Sequence, residues 1–335
     1  MTTFTPRVRI ECGDALDLLR SEPEESINLC VTSPPYFWLR DYGQAGQIGL
    51  EATTGEYVDR LVEVFGAVRR VLRRDGTLWL NLGDSFASSG CGSRDPQRWP
   101  KQSRNDHTPG RGKRCGGLKP KDLLGLPWRV AFALQEDGWW LRTDIIWAKP
   151  NSMPESVTDR PTRAHEYLFL MAKSPRYWYD AGAIAEQAVN GDSARPRGSA
   201  ASLNRGVVHP QGGRRDKQGQ TGKRTYAGFN ERWDAATPVS TRNARDVWVI
   251  PTQPFPKAHF ATFPEELARR CILAGCPEGG TVLDPFAGSG TVGAVAARHN
   301  RHAVLIDLNP TYCDMAKDRV WPEAQPRMLL GGEAK

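Results

Sequence analysis

The stretch Thr281-Val-Leu-Asp-Pro-Phe-Ala-Gly-Ser-Gly-Thr-Val292 restricts what this chain can fold into more than any other. A short apolar run ends in an acid, a Gly-rich turn follows, and a helical pattern continues to about His299. A second apolar run, Ala303 to Ile306, ends in Asp307. Strand, tight turn, helix and strand in this order read as a βαβ unit. The glycines let the backbone approach a ligand closely, and the helix start is expected to offer free N–H groups. Asp284 stands at the start of the turn. An acid roughly twenty residues on, at the end of the next strand, commonly takes the ribose hydroxyls of a nucleoside cofactor, and Asp307 holds that position. The turn is expected to work without the third, helix-packing glycine of dinucleotide-binding folds, and no Walker lysine follows it. An ordinary βαβ turn is the plain alternative.

A second stretch, Asn28-Leu-Cys-Val-Thr-Ser-Pro-Pro-Tyr36, ends a buried-strand pattern in two prolines and an aromatic. Pro34 and Pro35 have no amide donors and a fixed φ, so the chain leaves the sheet stiffly. Two carbonyls are freed from pairing beside the Ser33 hydroxyl and the Tyr36 ring. Such a turn can grip a flat polar group with an amine on its edge, the carbonyls and hydroxyl accepting and the ring stacking. A proline-rich strand exit with a core tyrosine is the other reading.

The remaining pattern repeats strand and helix. Arg7 to Glu11 alternates as a strand, and Gly13-Asp14 leads into a helix from Ala15 to Leu19. Asp14 is either a ligand contact at a strand end or a helix N-cap. Glu56 to Leu72 reads as an amphipathic helix, Asp75-Gly76 as a turn and Thr77 to Leu82 as a strand ending in Gly83-Asp84. Leu123 to Gln135 is a helix. Trp139 to Trp147 and His165 to Met171 are strands that can pair as an antiparallel hairpin, separated by the proline-stiffened Lys149 to Pro154. Glu265 to Ala274 is a helix entered through Pro264.

Charge placement separates two segments from the rest. Net charge is +7, yet residues 86–121 carry nine Lys/Arg against two Asp, and residues 191–232 nine against three acids. The body is therefore acidic. Two basic segments on it suit phosphate contacts with a polyanion. In the second, Arg214, Arg215, Lys217, Lys223 and Arg224 are the candidate contacts, with Tyr226, Phe229 and Trp233 placed for stacking. A plain solvated linker is the competing reading of residues 191–241. The seven cysteines are scattered, which points to reduced thiols without a metal site. No apolar run approaches the ~20 residues that span a membrane, and the N-terminus lacks a signal core, so a cytoplasmic protein is expected.

Asp284-Pro-Phe-Ala-Gly-Ser-Gly-Thr291, taken with Thr32-Ser-Pro-Pro-Tyr36, resembles the motifs of the DNA amino-methyltransferases that use S-adenosylmethionine. The catalytic motif comes first and the cofactor motif last, which resembles the beta arrangement. The likeness extends to Gly13-Asp14, Trp147-Ala-Lys-Pro-Asn151, His165-Glu166 and His259-Phe-Ala-Thr-Phe-Pro264. It implies an α/β, Rossmann-like methyltransferase fold: a seven-stranded, mostly parallel sheet with helices on both faces and a permuted motif order. Residues 1–85 and 122–190 would form the catalytic half, with 86–121 as a basic insertion. Residues 191–241 would recognise DNA, and 242–325 would form the cofactor half.

The resemblance also implies roles. Phe286, Ala287, Gly288, Ser289, Gly290 and Thr291 would cradle the methionine part of the cofactor, and Asp307 its ribose. Asp14, Thr32, His259, Phe260, Thr262, Phe263, Pro264, Asp284 and Asn309 would complete the pocket. Ser33, Pro34, Pro35 and Tyr36 would form the catalytic turn, with the target base flipped between Tyr36 and the loop carrying Lys149 and Asn151. Serine at position 33 accompanies cytosine-N4 enzymes in this family, and aspartate there accompanies adenine-N6 enzymes, so N4 of cytosine is the expected target. The expected partner is double-stranded DNA, with a cognate restriction endonuclease as a further partner, no metal or membrane, and a monomer or homodimer in a prokaryotic or phage setting. An adenine-N6 DNA methyltransferase of the same family, a methyltransferase for RNA, protein or a small molecule, and a catalytically inactive nucleic-acid binder are the rival readings.

Overall fold

The computed structural model describes residues 4–87, 119–187, 241–253 and 263–325. The elements run β1 (Val8–Cys12), α1 (Ala15–Ser21), β2 (Ile27–Thr32), α2 (Thr54–Val71), β3 (Leu72–Leu82), α3 (Leu126–Glu136), β4 (Trp140–Ala148) and β5 (His165–Ala172). They continue with β6 (Glu186–Gln187), β7 (Thr241–Arg242), β8 (Val247–Val249), α4 (Glu265–Gly275), β9 (Thr281–Asp284), α5 (Thr291–Arg298), β10 (His302–Asp307) and α6 (Pro310–Val320). By its contacts the chain divides into two units, Met1–Ala183 with Arg245–Lys335, and Ile184–Ala244. The described part of the second unit is the antiparallel β6–β7 ladder, across which Arg242 pairs with Glu186.

The first unit holds one sheet in the order β1-β10-β9-β2-β3-β5-β4-β8. Every neighbouring pair is parallel except those of β5, which runs against both β3 and β4. This is the mostly parallel sheet expected from the sequence, with eight strands instead of seven. The extra strand is the short β8, added at the edge beside β4.

The core follows the apolar runs. Leu29, Cys30 and Val31 of β2 are fully buried, as a strand covered on both faces requires. On α2, Tyr57, Leu61, Val64, Val68 and Val71 are buried, and Thr53 and Glu56 close its first turn as a capping box. Helix α3 begins later than its apolar pattern, at Leu126, because Asp84 accepts the amides of Gly125 and Leu126 at 3.1 and 3.2 Å and fixes the start there.

Two expectations are corrected here. Asp75 and Gly76 do not form a turn ahead of a strand. The pairing of β2 with β3 jumps from Ile27–Leu72 to Leu29–Thr77, so these residues bulge within one longer strand. A packing glycine is also present after the Gly-rich turn. A Cβ on Gly293 would stand 2.5 Å from Leu305 Cδ1, so its absence lets α5 lie close on β10. Gly288-Ser-Gly290-Thr-Val-Gly293 therefore has the full Gly-x-Gly-x-x-Gly spacing.

Among the described residues, Cys12, Cys30, Cys271, Cys276 and Cys313 are free thiols, no cluster of His, Cys, Asp and Glu could hold a metal, and no helix is long and apolar enough to cross a membrane.

Candidate active site

The C-terminal ends of β2 and β9 lie side by side, where the sheet grows in opposite directions from its middle. Open α/β sheets bind ligands at such a switch point. The two motifs lie far apart in sequence, yet they touch here. The Thr32 hydroxyl donates to Asp284 Oδ1 at 2.6 Å, with both residues buried. The Phe286 amide donates to the same oxygen at 3.1 Å. Burial pushes the Asp284 carboxyl up to about 7 despite these two donors.

In the catalytic turn, Ser33 Oγ donates to Tyr36 Oη at 3.2 Å, and Tyr36 Oη donates to Glu166 Oε2 at 2.6 Å. Glu166 also forms an ion pair with Lys149, whose ammonium lies 4.3 Å from the centre of the Trp147 ring. Glu166 is close because β5 is antiparallel. Its first residues, not its last, reach the edge where the parallel strands end, and Glu166 sits opposite Trp147 of β4. Asn81 completes the wall, its Nδ2 donating to the Tyr167 carbonyl at 3.1 Å and its Oδ1 3.3 Å from Tyr36 Oη. The Tyr36 ring lies against Gly83, where a Cβ would come within 2.6 Å of it. Burial, then the charge of Glu166, raises the Tyr36 hydroxyl well above its ordinary range and keeps it protonated.

Only one of the two carbonyls expected to be free is so. The Pro35 carbonyl accepts from Tyr57 Oη at 2.9 Å, whereas that of Pro34 takes no hydrogen bond from the described residues.

The Gly-rich turn is also more occupied than its sequence implies. The amide of Phe286 is held by Asp284, that of Ala287 by the Ile306 carbonyl at 2.9 Å, that of Gly288 by Asp307 Oδ2 at 2.8 Å and that of Gly290 by the Ala287 carbonyl at 2.9 Å. These four amides are spent on shaping the turn, whereas those of Thr291, Val292 and Gly293, at the start of α5, have no acceptor among the described residues. Gly290 has φ +76°, and a Cβ there would meet Ala316 of α6 at 2.8 Å, so only glycine fits. Ser289 and Thr291 are buried, and both hydroxyls accept from Arg319 of α6.

Two adjoining cavities open at these turns. The larger, about 240 Å³, is lined by Ser33, Pro34, Tyr36, Asn81, Trp147, Lys149, Glu166, Phe263 and Asp284, and by Phe286 to Ser289 with Thr291. The smaller, about 120 Å³, is lined by Asp14, Ile48, Val64, Phe286, Gly288, Asp307, Leu308 and Asn309. Ser33, Tyr42, Phe286, Gly288 and Tyr312 border both, and the Tyr42 and Tyr312 rings meet edge to face at 6.2 Å.

Asp14 is the N-cap and also borders a cavity. Its Oδ1 caps α1 through the amides of Leu16 and Asp17, and the residue lines the smaller cavity. Asp307 accepts from the amides of Gly288 and Asn309 at 2.8 Å each, and burial raises its carboxyl. Asn309 caps α6 through the Thr311 amide. Asn151 exchanges two hydrogen bonds with the backbone of Thr252 at 2.9 and 3.1 Å. Pro264 is buried at the start of α4. His259, Phe260, Thr262, Arg214, Arg215, Lys217, Lys223 and Arg224 lie outside the described residues. The sequence reading missed Asn81, Tyr42, Tyr312 and Arg319, and quoted Glu166 without giving it a role.

A family model described as DNA methylase matches residues 27–318. The chain is 46% identical over 311 residues to Type II methyltransferase M.Cfr9I of Citrobacter freundii, covering 93% of this chain and 87% of that protein. It is 44% identical over 312 residues to Type II methyltransferase M.SmaI of Serratia marcescens, covering 93% and 90%. Among solved structures, the cytosine-N4-specific PvuII DNA methyltransferase shares the fold at a TM-score of 0.59 and 20% identity, over 94% of this chain and 89% of that one. A putative DNA modification methylase of Thermus thermophilus, complexed with S-adenosyl-L-methionine, matches at a TM-score of 0.53 and 26% identity, over 94% and 95%.

Proposed function

We propose that this chain, which belongs to the DNA methylase family matched over residues 27–318, transfers a methyl group from S-adenosylmethionine to N4 of a cytosine flipped out of double-stranded DNA. The observation that carries the reading is the hydrogen-bond direction at Ser33. Its proton goes to Tyr36, so its remaining lone pair is an acceptor, beside the unbonded Pro34 carbonyl.

The cavities fit the cofactor. Ile48, Val64, Phe286 and Leu308 give apolar walls for an adenine ring, and Asp307 and Asp14 give carboxylates for ribose hydroxyls. The larger cavity then takes the methionine end and the target base. When bound, S-adenosylmethionine supplies an electrophilic methyl group on a cationic sulfur. The cytosine amine is a weak nucleophile because its lone pair is delocalised into the ring. Ser33 Oγ and the Pro34 carbonyl accept its two N–H bonds, draw the nitrogen toward a tetrahedral shape and hold it for in-line attack. The Tyr36 ring, backed by Gly83, offers a stacking face that offsets part of the energy of flipping, ~1–3 kcal/mol for one base. Transfer moves the positive charge from sulfur to the amine nitrogen, and the N–H of that cation is acidic enough to leave to water without a strong general base. The basic segments 86–121 and 191–232 supply phosphate contacts.

The test is to incubate the purified chain with DNA and cofactor, digest the DNA to nucleosides and identify the product. N4-methylcytosine is expected. N6-methyladenine alone would overturn the choice of base, and no methylated nucleoside with cofactor bound would overturn the reading as a whole.

A further inference from the structure

Arg319, on the last turn of α6, reaches back to the Gly-rich turn. Its Nη1 donates to Ser289 Oγ at 3.1 Å and to Thr291 Oγ1 at 2.8 Å. Its Nη2 is held by Glu265 Oε1 at 2.9 Å, and the other oxygen of Glu265 takes Arg298 at 2.8 Å. Burial alone would raise the Glu265 carboxyl, but hydrogen bonds from Arg298 and Arg319 hold it below its ordinary range, so it stays charged. The Arg319 side chain is only 14% exposed. The guanidinium is therefore fixed in a mostly buried network, not hung from the surface.

The direction of these bonds decides what the turn can bind. A hydroxyl that accepts from a guanidinium retains its own proton for another partner. Ser289 and Thr291 both line the larger cavity, and neither hydroxyl donates to any group among the described residues. The amides of Phe286, Ala287, Gly288 and Gly290 are already taken, so the two hydroxyls add side-chain donors to a turn most of whose own amides are engaged. Two O–H groups polarised by a cation suit a carboxylate.

We infer that Arg319 is a positioning residue that presents Ser289 and Thr291 as a donor pair for the carboxylate at the methionine end of S-adenosylmethionine. The inference rests on reading this cavity as the cofactor site. It also couples the turn to the cavity wall, because Glu265 opens α4 two residues after Phe263, which lines the same cavity.

The experiment is calorimetric titration of the full chain with S-adenosylmethionine and with 5′-methylthioadenosine, which has no amino-acid end. Arg319→Met is expected to weaken S-adenosylmethionine binding about ten- to a hundredfold, the scale of a hydrogen bond to a charged group, and to leave 5′-methylthioadenosine binding unchanged. Thr291→Val removes one hydroxyl without disturbing the ion pairs, and should show the same selective loss even if Arg319→Met folds poorly. Equal losses on both ligands in these variants would reduce Arg319 to a structural role and overturn the proposal, as would full retention of S-adenosylmethionine affinity. If the unaltered chain binds neither ligand, the cofactor reading itself falls, and the proposal with it.

Discussion

Ser33 and the pair Ser289 and Thr291 are hydroxyls on neighbouring turns, yet their protons run in opposite senses. Ser33 donates away, to Tyr36 and through it to Glu166, which leaves an acceptor at the cavity. Ser289 and Thr291 accept from Arg319, which leaves donors. A hydroxyl alone has no fixed polarity, since it both donates and accepts. The charged residue behind each turn sets it: a carboxylate behind the first and a guanidinium behind the second. An amine to be methylated needs acceptors and a carboxylate to be held needs donors, so on the proposed function the two turns would divide the substrates between them. The Thr32–Asp284 hydrogen bond ties one turn to the other.

The comparison is broken most severely at Ser33. Ser33→Ala removes the acceptor outright, and kcat is expected to fall about a hundredfold or more, as for loss of one preorganised group at a reacting centre. Cofactor affinity measured by calorimetry should not change. A matching loss of cofactor affinity would move Ser33 to the other side of the division.

Glu166 separates orientation from stability. Glu166→Gln leaves the mostly buried Lys149 without its carboxylate, and is expected to lower unfolding free energy by about 2–3 kcal/mol, seen as a lower Tm. Adding Lys149→Met should restore most of that stability, because no unpaired charge remains. The kcat of the double variant should stay low, because Tyr36 still lacks a charged acceptor. Recovery of kcat together with Tm would make the ion pair purely structural.

A further prediction concerns the joint between the turns. The Asp284 carboxyl lies at about 7 when folded, against an ordinary value of 3.8. Between those values the folded chain holds a proton that the unfolded chain has lost. Stability should therefore fall as pH rises through this window and level off below it. Asp284→Asn should flatten that slope, as read from urea midpoints at a series of pH values without cofactor. An unchanged slope would mean that burial does not disfavour the Asp284 charge.

What could be read in the sequence was local. The apolar run before Ser33, the Gly-rich turn and Asp307 each carry their pattern in a few consecutive residues, and the mostly parallel sheet was implied by the family resemblance of those motifs. The residues behind the turns do not read that way. Glu166 acts through the reversed direction of β5, which places the start of that strand at the site, and Arg319 through the packing of α6 on Gly290. Asn81 did leave a trace, as the single polar residue within Leu78-Trp-Leu-Asn-Leu82, where it is buried. The engagement of the amides within the turn could not be read, because sequence does not show how many a turn uses on itself. Asp284, Ile306 and Asp307 take three of them.

The most direct test of opposite polarity is single-turnover methylation by Tyr36→Phe on DNA whose target base is mismatched, so that flipping is already easy. The phenylalanine keeps the ring and removes only the hydroxyl that links Ser33 to Glu166. The rate is expected to fall about tenfold, the scale of one lost hydrogen bond, with cofactor affinity unchanged. An unaltered rate would contradict the claim that the carboxylate behind the catalytic turn sets the sense of the Ser33 hydroxyl.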